Sequence, residues 1–228
     1  MNTLIQHLEL NTGPNPKGSI IWMHGLGADC WDFVSIVKEL GLPDDLPLRF
    51  IFPQAPTRPI TINNGQVMPG WYDISMAELH RKPDEAGVRQ SQAAIEQLIA
   101  REIERGIPAD KIILAGFSQG GAIALQTGLR CRETLGGIMA LSTYLTLDDS
   151  LAAEATIANA NIPILMAHGT QDPLIPLSLA VASRTKMEAR GYKVEWREYP
   201  MPHSLCMEEV EDIGVWIQAR FESRILLA

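Results

Sequence analysis

Residues 111–130 read KIILAGFSQGGAIALQTGLR. Ile112 to Ala115 is a short apolar run of strand type, and Ala122-Ile123-Ala124-Leu125 continues at helical spacing with almost no charge. The stretch therefore predicts a buried strand that turns directly into a buried helix. Gly116-Phe117-Ser118-Gln119-Gly120 stands at the corner and fits G-x-S-x-G. Glycines on both sides relieve a backbone conformation that most residues avoid, so the serine hydroxyl is pushed out at the strand's C-terminal end. The amides that open the next helix face the same spot and favour negative charge there. A hydroxyl so placed reads as chemistry rather than packing.

Outward from this corner, apolar runs of strand length recur at Ser19 to Met23, Leu48 to Phe52, Gly137 to Leu141, Ile164 to Ala167 and Val194 to Tyr199. Helix-period segments alternate with them. Ile95, Leu98, Ile99 and Ile103 make one apolar stripe, ended by Gly106 and Pro108, and Met207, Val210, Ile213 and Ile217 make another. IPLSLAVASRTKMEARG reads as a third helix, with Pro176 near its first turn and Gly191 at its end. Such alternation implies an α/β fold, a mostly parallel central sheet with helices on both faces. With 228 residues, 46% apolar and 20% charged, the chain encloses a substantial core as one domain, 1–228. Pro53 to about Pro83 lacks clear periodicity, and a stretch of that length is expected to act as a lid or a binding loop.

Charge and cysteine usage exclude whole classes. The net charge of −8 contains no block of like sign, so nucleic acid is not an expected partner. Cys30, Cys131 and Cys206 match no zinc-ligand spacing and cannot all pair, which suits a reducing, cytoplasmic setting. MNTLIQHLEL has neither a basic n-region nor a sustained apolar run, and no uncharged apolar stretch is of membrane-spanning length. No metal or organic cofactor is called for.

A serine hydroxyl is a weak nucleophile at neutral pH, so it needs a base and a group to orient that base, in the chain order Ser, Asp or Glu, His. Asp172 stands just beyond a buried strand in PILMAHGTQDPLIP, and His203 stands before the last helix in EWREYPMPHSLCMEE. His7 and His80 precede Asp172 and fail the order rule. So does His168, which is assigned a structural role, bonding the turn before Asp172. Ser142 and Ser204 lack a glycine-flanked corner, and Cys206 reads as a packed or passively exposed thiol. Two backbone amides are expected to hold the oxyanion: Gln119, and Leu26 in the glycine-rich turn His24-Gly25-Leu26-Gly27. As a dinucleotide turn, that segment would need glycine where Cys30 stands. Met68, Trp71, Tyr144, Leu145, Leu174 and Ile175 are candidates for the acyl-binding wall by position; each is equally suited to fill the core.

With these pieces in place, the chain resembles the phospholipase/carboxylesterase family of α/β-hydrolases, the group of small bacterial carboxylesterases and acyl-protein thioesterases. HGLGAD, FPQAP, GWYDI, GFSQGGAIAL, HGTQDPLIP and YPMPHSLCMEE occur in family order. The resemblance implies an α/β-hydrolase fold without a large cap domain, a cytosolic setting and a homodimer. It also places Ser118, Asp172 and His203 on the family's triad, and Leu26 and Gln119 on its oxyanion donors. The sequence departs from the family at STYLT, where Thr143 and Thr146 replace glycine and proline, and at Pro202, which replaces a glycine. The expected activity is hydrolysis of short- to medium-chain carboxylic esters through an acyl-enzyme. The alternatives are an acyl-protein thioesterase or lysophospholipase, and a non-catalytic binding protein on the same fold.

Overall fold

The computed structural model describes residues 4–75 and 83–222. In chain order the elements are β1 (His7–Asn11), β2 (Ser19–Met23), β3 (Arg49–Pro53), β4 (Thr57–Ile60), β5 (Gln66–Pro69), α1 (Glu85–Glu104), β6 (Ile112–Phe117), α2 (Gln119–Arg130), β7 (Gly137–Leu141), α3 (Asp148–Glu154), β8 (Ile164–Gly169), α4 (Leu177–Glu188), β9 (Val194–Tyr199) and α5 (Met207–Phe221). Seven strands form one sheet in the order β1-β3-β2-β6-β7-β8-β9. Only β1 runs antiparallel to its neighbour. The fold is that of an α/β-hydrolase.

Every residue of β2, β3, β7 and β8 is buried, because helices cover both faces of a parallel sheet. Alternate residues serve opposite cores. Ile21, Met23, Ile112 and Leu114 pack with α1 and α2, and with Met187 of α4; Ile20, Trp22, Ile113 and Ala115 pack with α5 and Val37 and Leu40 of the 3₁₀ turn at 35–40. Helix α2 is buried at all of its residues, so the absence of charge before Arg130 follows from having no solvent-facing side. Edge strand β9 alternates between half-buried and exposed positions near its start, as one-sided cover requires.

Two expectations are corrected. The stretch from Pro53 to Pro83 is not structureless: β4 and β5 pair as an antiparallel hairpin, with Asn64 and Gly65 at positive φ in the connection. Residues 76–82 of that stretch, including His80, lie outside the described residues. In α5 the apolar stripe begins at Val210, since Met207 is 56% exposed.

Strands β2 and β6 are neighbours, yet the chain leaves β2 toward β3 on one side and leaves β6 toward β7 on the other. A crevice opens at the C-terminal ends of strands where the order reverses in this way. Both the Gly25–Gly27 turn and Ser118 emerge there.

Candidate active site

Ser118 joins β6 to α2 with φ 55° and ψ −122°, a conformation that costs a non-glycine residue on the order of 1–3 kcal/mol. The surroundings impose it. Its N–H donates to Leu141 O at 2.8 Å, and close packing on either side leaves no room for a β-carbon. One built on Gly116 would lie 2.2 Å from Gly120 O, and one on Gly120 would lie 2.4 Å from Met23 O. The glycines therefore let α2 start against the ends of β6 and β2, which is why the corner is sharp.

Asp172 follows β8, and its carboxylate has no solvent exposure. Oδ1 accepts the N–H groups of Leu174 and Ile175, both at 2.9 Å, and Oδ2 accepts Nδ1–H of His203 at 2.6 Å. These bonds fix the His203 tautomer, leaving Nε2 as the basic nitrogen. The imidazole packs against the Phe117 ring at 4.7 Å between centroids, beside the residue that precedes Ser118. Serine 118, Asp172 and His203, drawn from three separate loops, thus converge at one end of the sheet. His168 Nε2–H donates to Ile175 O at 2.9 Å, so it braces the turn after Asp172 rather than the one before it.

The turn after β2 passes directly over the corner: a β-carbon built on Gly25 would sit 3.5 Å from Ser118 Cβ. Gly27 N–H donates to Pro69 O at 2.8 Å, tying this turn to the β4–β5 hairpin. Among the described residues, neither the Leu26 nor the Gln119 amide donates a hydrogen bond within the protein. Two backbone donors are thereby left over beside a serine hydroxyl. His24, buried beneath the turn, accepts Ala55 N–H at Nε2 at 3.1 Å. Burial lowers its pKa, which keeps it neutral.

The candidates for the acyl wall divide. Met68 stands beside the turn, its sulfur 3.5 Å from a β-carbon built on Gly27. Leu174, next to Asp172, is 66% exposed. Half-buried Tyr144 places its hydroxyl 3.0 Å from that of Tyr72. Leu145 and Ile175 are buried; Leu145 belongs to the α1/α2 core, and Ile175 supplies one of the amides to Asp172. Trp71 is corrected outright. It has no exposed surface, its indole N–H donates to His24 O at 2.8 Å, and its backbone N–H donates to Gln119 Oε1 at 2.7 Å. Gln119 Nε2 in turn donates to Tyr72 O at 2.7 Å. Sequence reasoning read Gln119 for its backbone alone and missed this clamp. The pairing of a glutamine side chain with two consecutive backbone groups has no local sequence signature.

The family model described as Phospholipase/Carboxylesterase matches residues 10–220. Acyl-protein thioesterase 1 of Neurospora crassa is 42% identical over 211 residues, which is 89% of this chain and 86% of that protein. Among solved structures, Arabidopsis thaliana SOBER1 superposes with a TM-score of 0.85 at 29% identity, covering 90% of this chain and 99% of that one. Zea mays acyl-protein thioesterase 2 superposes with a TM-score of 0.85 at 25% identity, covering 96% and 100%. The chain belongs to the phospholipase/carboxylesterase family of α/β-hydrolases and is a serine hydrolase.

Proposed function

We propose that the protein hydrolyses acyl thioesters and carboxylic esters through an acyl-enzyme on Ser118. His203 Nε2 takes the hydroxyl proton as the serine oxygen attacks the carbonyl carbon, and then delivers it to the departing thiol or alcohol. Water, deprotonated by the same nitrogen, attacks the acyl-serine and releases the carboxylic acid. Asp172 holds the imidazole by Nδ1 and stabilises its positive form, while the Leu26 and Gln119 amides receive the tetrahedral oxyanion. The observation that carries this reading is the 2.6 Å bond between His203 and a fully buried Asp172, with the imidazole lying on the residue next to Ser118.

The names of its relatives favour thioesters as the natural substrate over the oxygen esters expected from sequence. A thioester carbonyl is less resonance-stabilised and expels a better leaving group, so a site able to cleave esters cleaves matched thioesters as well. The test is purified Ser118→Ala beside wild type. Wild type is expected to hydrolyse p-nitrophenyl butyrate and a butyryl thioester and to be labelled once by a fluorophosphonate. The variant should lose roughly a millionfold in turnover, and all labelling. Labelling that survives in Ser118→Ala would refute the assignment.

A further inference from the structure

An amide that must stabilise a developing oxyanion has to be aimed at it and kept there. Because a peptide unit is planar and trans, its N–H points opposite to its own C=O, so holding the carbonyl aims the donor. The two peptides at this site are Gly25–Leu26 and Ser118–Gln119, and each has its carbonyl held by a buried side chain. Gly25 O accepts Nδ1–H of His24 at 2.7 Å. Ser118 O accepts the hydroxyl of Thr143 at 2.6 Å, closer than the 3.2 Å helical bond from Ala122 N–H to the same oxygen. Neither His24 nor Thr143 is more than 1% exposed.

Thr143 is also fixed in place. A β-carbon built on Gly121 would lie 2.7 Å from its Cγ2 and 2.9 Å from its Cβ, so the methyl sits against the first turn of α2 and leaves the hydroxyl facing Ser118 O. Hydrogen bonding at a carbonyl polarises the whole peptide and strengthens its N–H as a donor. The resemblance places glycine at position 143, and glycine has no hydroxyl. This anchor is a feature of the present sequence.

We propose that Thr143 is a positioning residue that aims and polarises the Gln119 N–H, as His24 does for Leu26; the proposal rests on the hydrolase reading above. Its test is Thr143→Val, which keeps the shape and removes the hydroxyl, against Thr143→Ser, which keeps the hydroxyl and removes the methyl. Thr143→Gly serves as a second hydroxyl-free variant should valine not fit beside Gly121. Steady-state kinetics with p-nitrophenyl butyrate would be read alongside inhibition by butylboronic acid, whose serine adduct is tetrahedral. Thr143→Val should lower kcat about tenfold, short of the 10²–10³ that outright loss of a donor costs, with KM changed by less than about twofold. The boronate inhibition constant should rise by about the same factor, and Thr143→Ser should stay within about twofold of wild type in all three quantities. Wild-type kcat in Thr143→Val and Thr143→Gly, equal losses in Thr143→Val and Thr143→Ser, or a change confined to KM would each overturn the proposal. An inert wild-type protein would instead sink the hydrolase reading on which it stands.

Discussion

At residue 172 the carboxylate does two separable jobs. Oδ1 closes the turn through Leu174 and Ile175, whereas Oδ2 meets His203. Asparagine could keep the first contact, but its amide nitrogen would face Nδ1 and favour the wrong imidazole tautomer. Asp172→Asn is therefore expected to lower kcat about 10⁴-fold with the fold intact, the size seen for the same exchange in a serine-protease triad. A loss under about tenfold, measured with p-nitrophenyl butyrate, would contradict the assigned role. The residues proposed for the triad were readable from sequence because they obey an order rule and because His203 is the one histidine after Asp172. Trp71 was not readable. An aromatic residue in a proline- and glycine-rich stretch suggests a binding wall, and nothing local shows that its indole N–H ends on His24 O. Thr143 was visible only as a departure from the family, since its partner, Ser118 O, lies 25 positions away.

Among the elements, α5 holds the clearest titration. Glu209, in its first turn, is fully buried, and among the described residues no side chain donates a hydrogen bond to its carboxylate, whose backbone neighbour is Cys206 at the helix start. Burial raises its pKa to about 8. The folded state thus keeps a proton that the unfolded chain releases near 4.5, so stability conferred with Glu209 neutral declines as pH rises from about 5 through 8. Glu209→Gln stays neutral throughout and should flatten that decline. Its urea midpoint should exceed that of wild type at pH 9 and approach it at pH 4.5; equal midpoints at pH 9 would refute this. Sequence showed Glu209 as an ordinary acidic residue at a helix start, because burial by distant elements has no local signature. Strands β2, β3, β6, β7 and β8 were legible, as cover on both faces demands unbroken apolar runs. The β4–β5 hairpin was not, since its strands are four residues each and contain Pro59 and Pro69.

On the scale of the whole molecule, the two ends of the sheet are built differently. Its C-terminal end carries the strained corner and the candidate site. At the N-terminal end of β2 and β3, Glu102 of α1 is buried and accepts Ser19 Oγ–H at 2.5 Å, Arg49 at 2.7 Å and Arg105 at 2.8 Å. Removing Glu102 takes the acceptor from buried Ser19 and Arg49, whereas Arg105 keeps Glu9, so Glu102→Ala should lose about 3 kcal/mol of stability by urea unfolding. Its kcat should remain within about twofold of wild type, because the network lies a full strand length from Ser118; a matching loss of kcat would show that the ends are coupled. We propose that the chain folds as a single unit, and we expect one cooperative unfolding transition. The overall architecture was legible because strands and helices alternate along the chain, while this distant ion network, joining residues 83 and 53 positions apart, was not. The claim on which the account turns is a covalent acyl group on Ser118. Trypsin releases residues 112–130 as one peptide with a single serine. Acid quenching during turnover of p-nitrophenyl butyrate, followed by mass spectrometry, should find butyryl on that peptide and lose it in Ser118→Ala. Steady turnover with that peptide unmodified and butyryl on another would contradict the account.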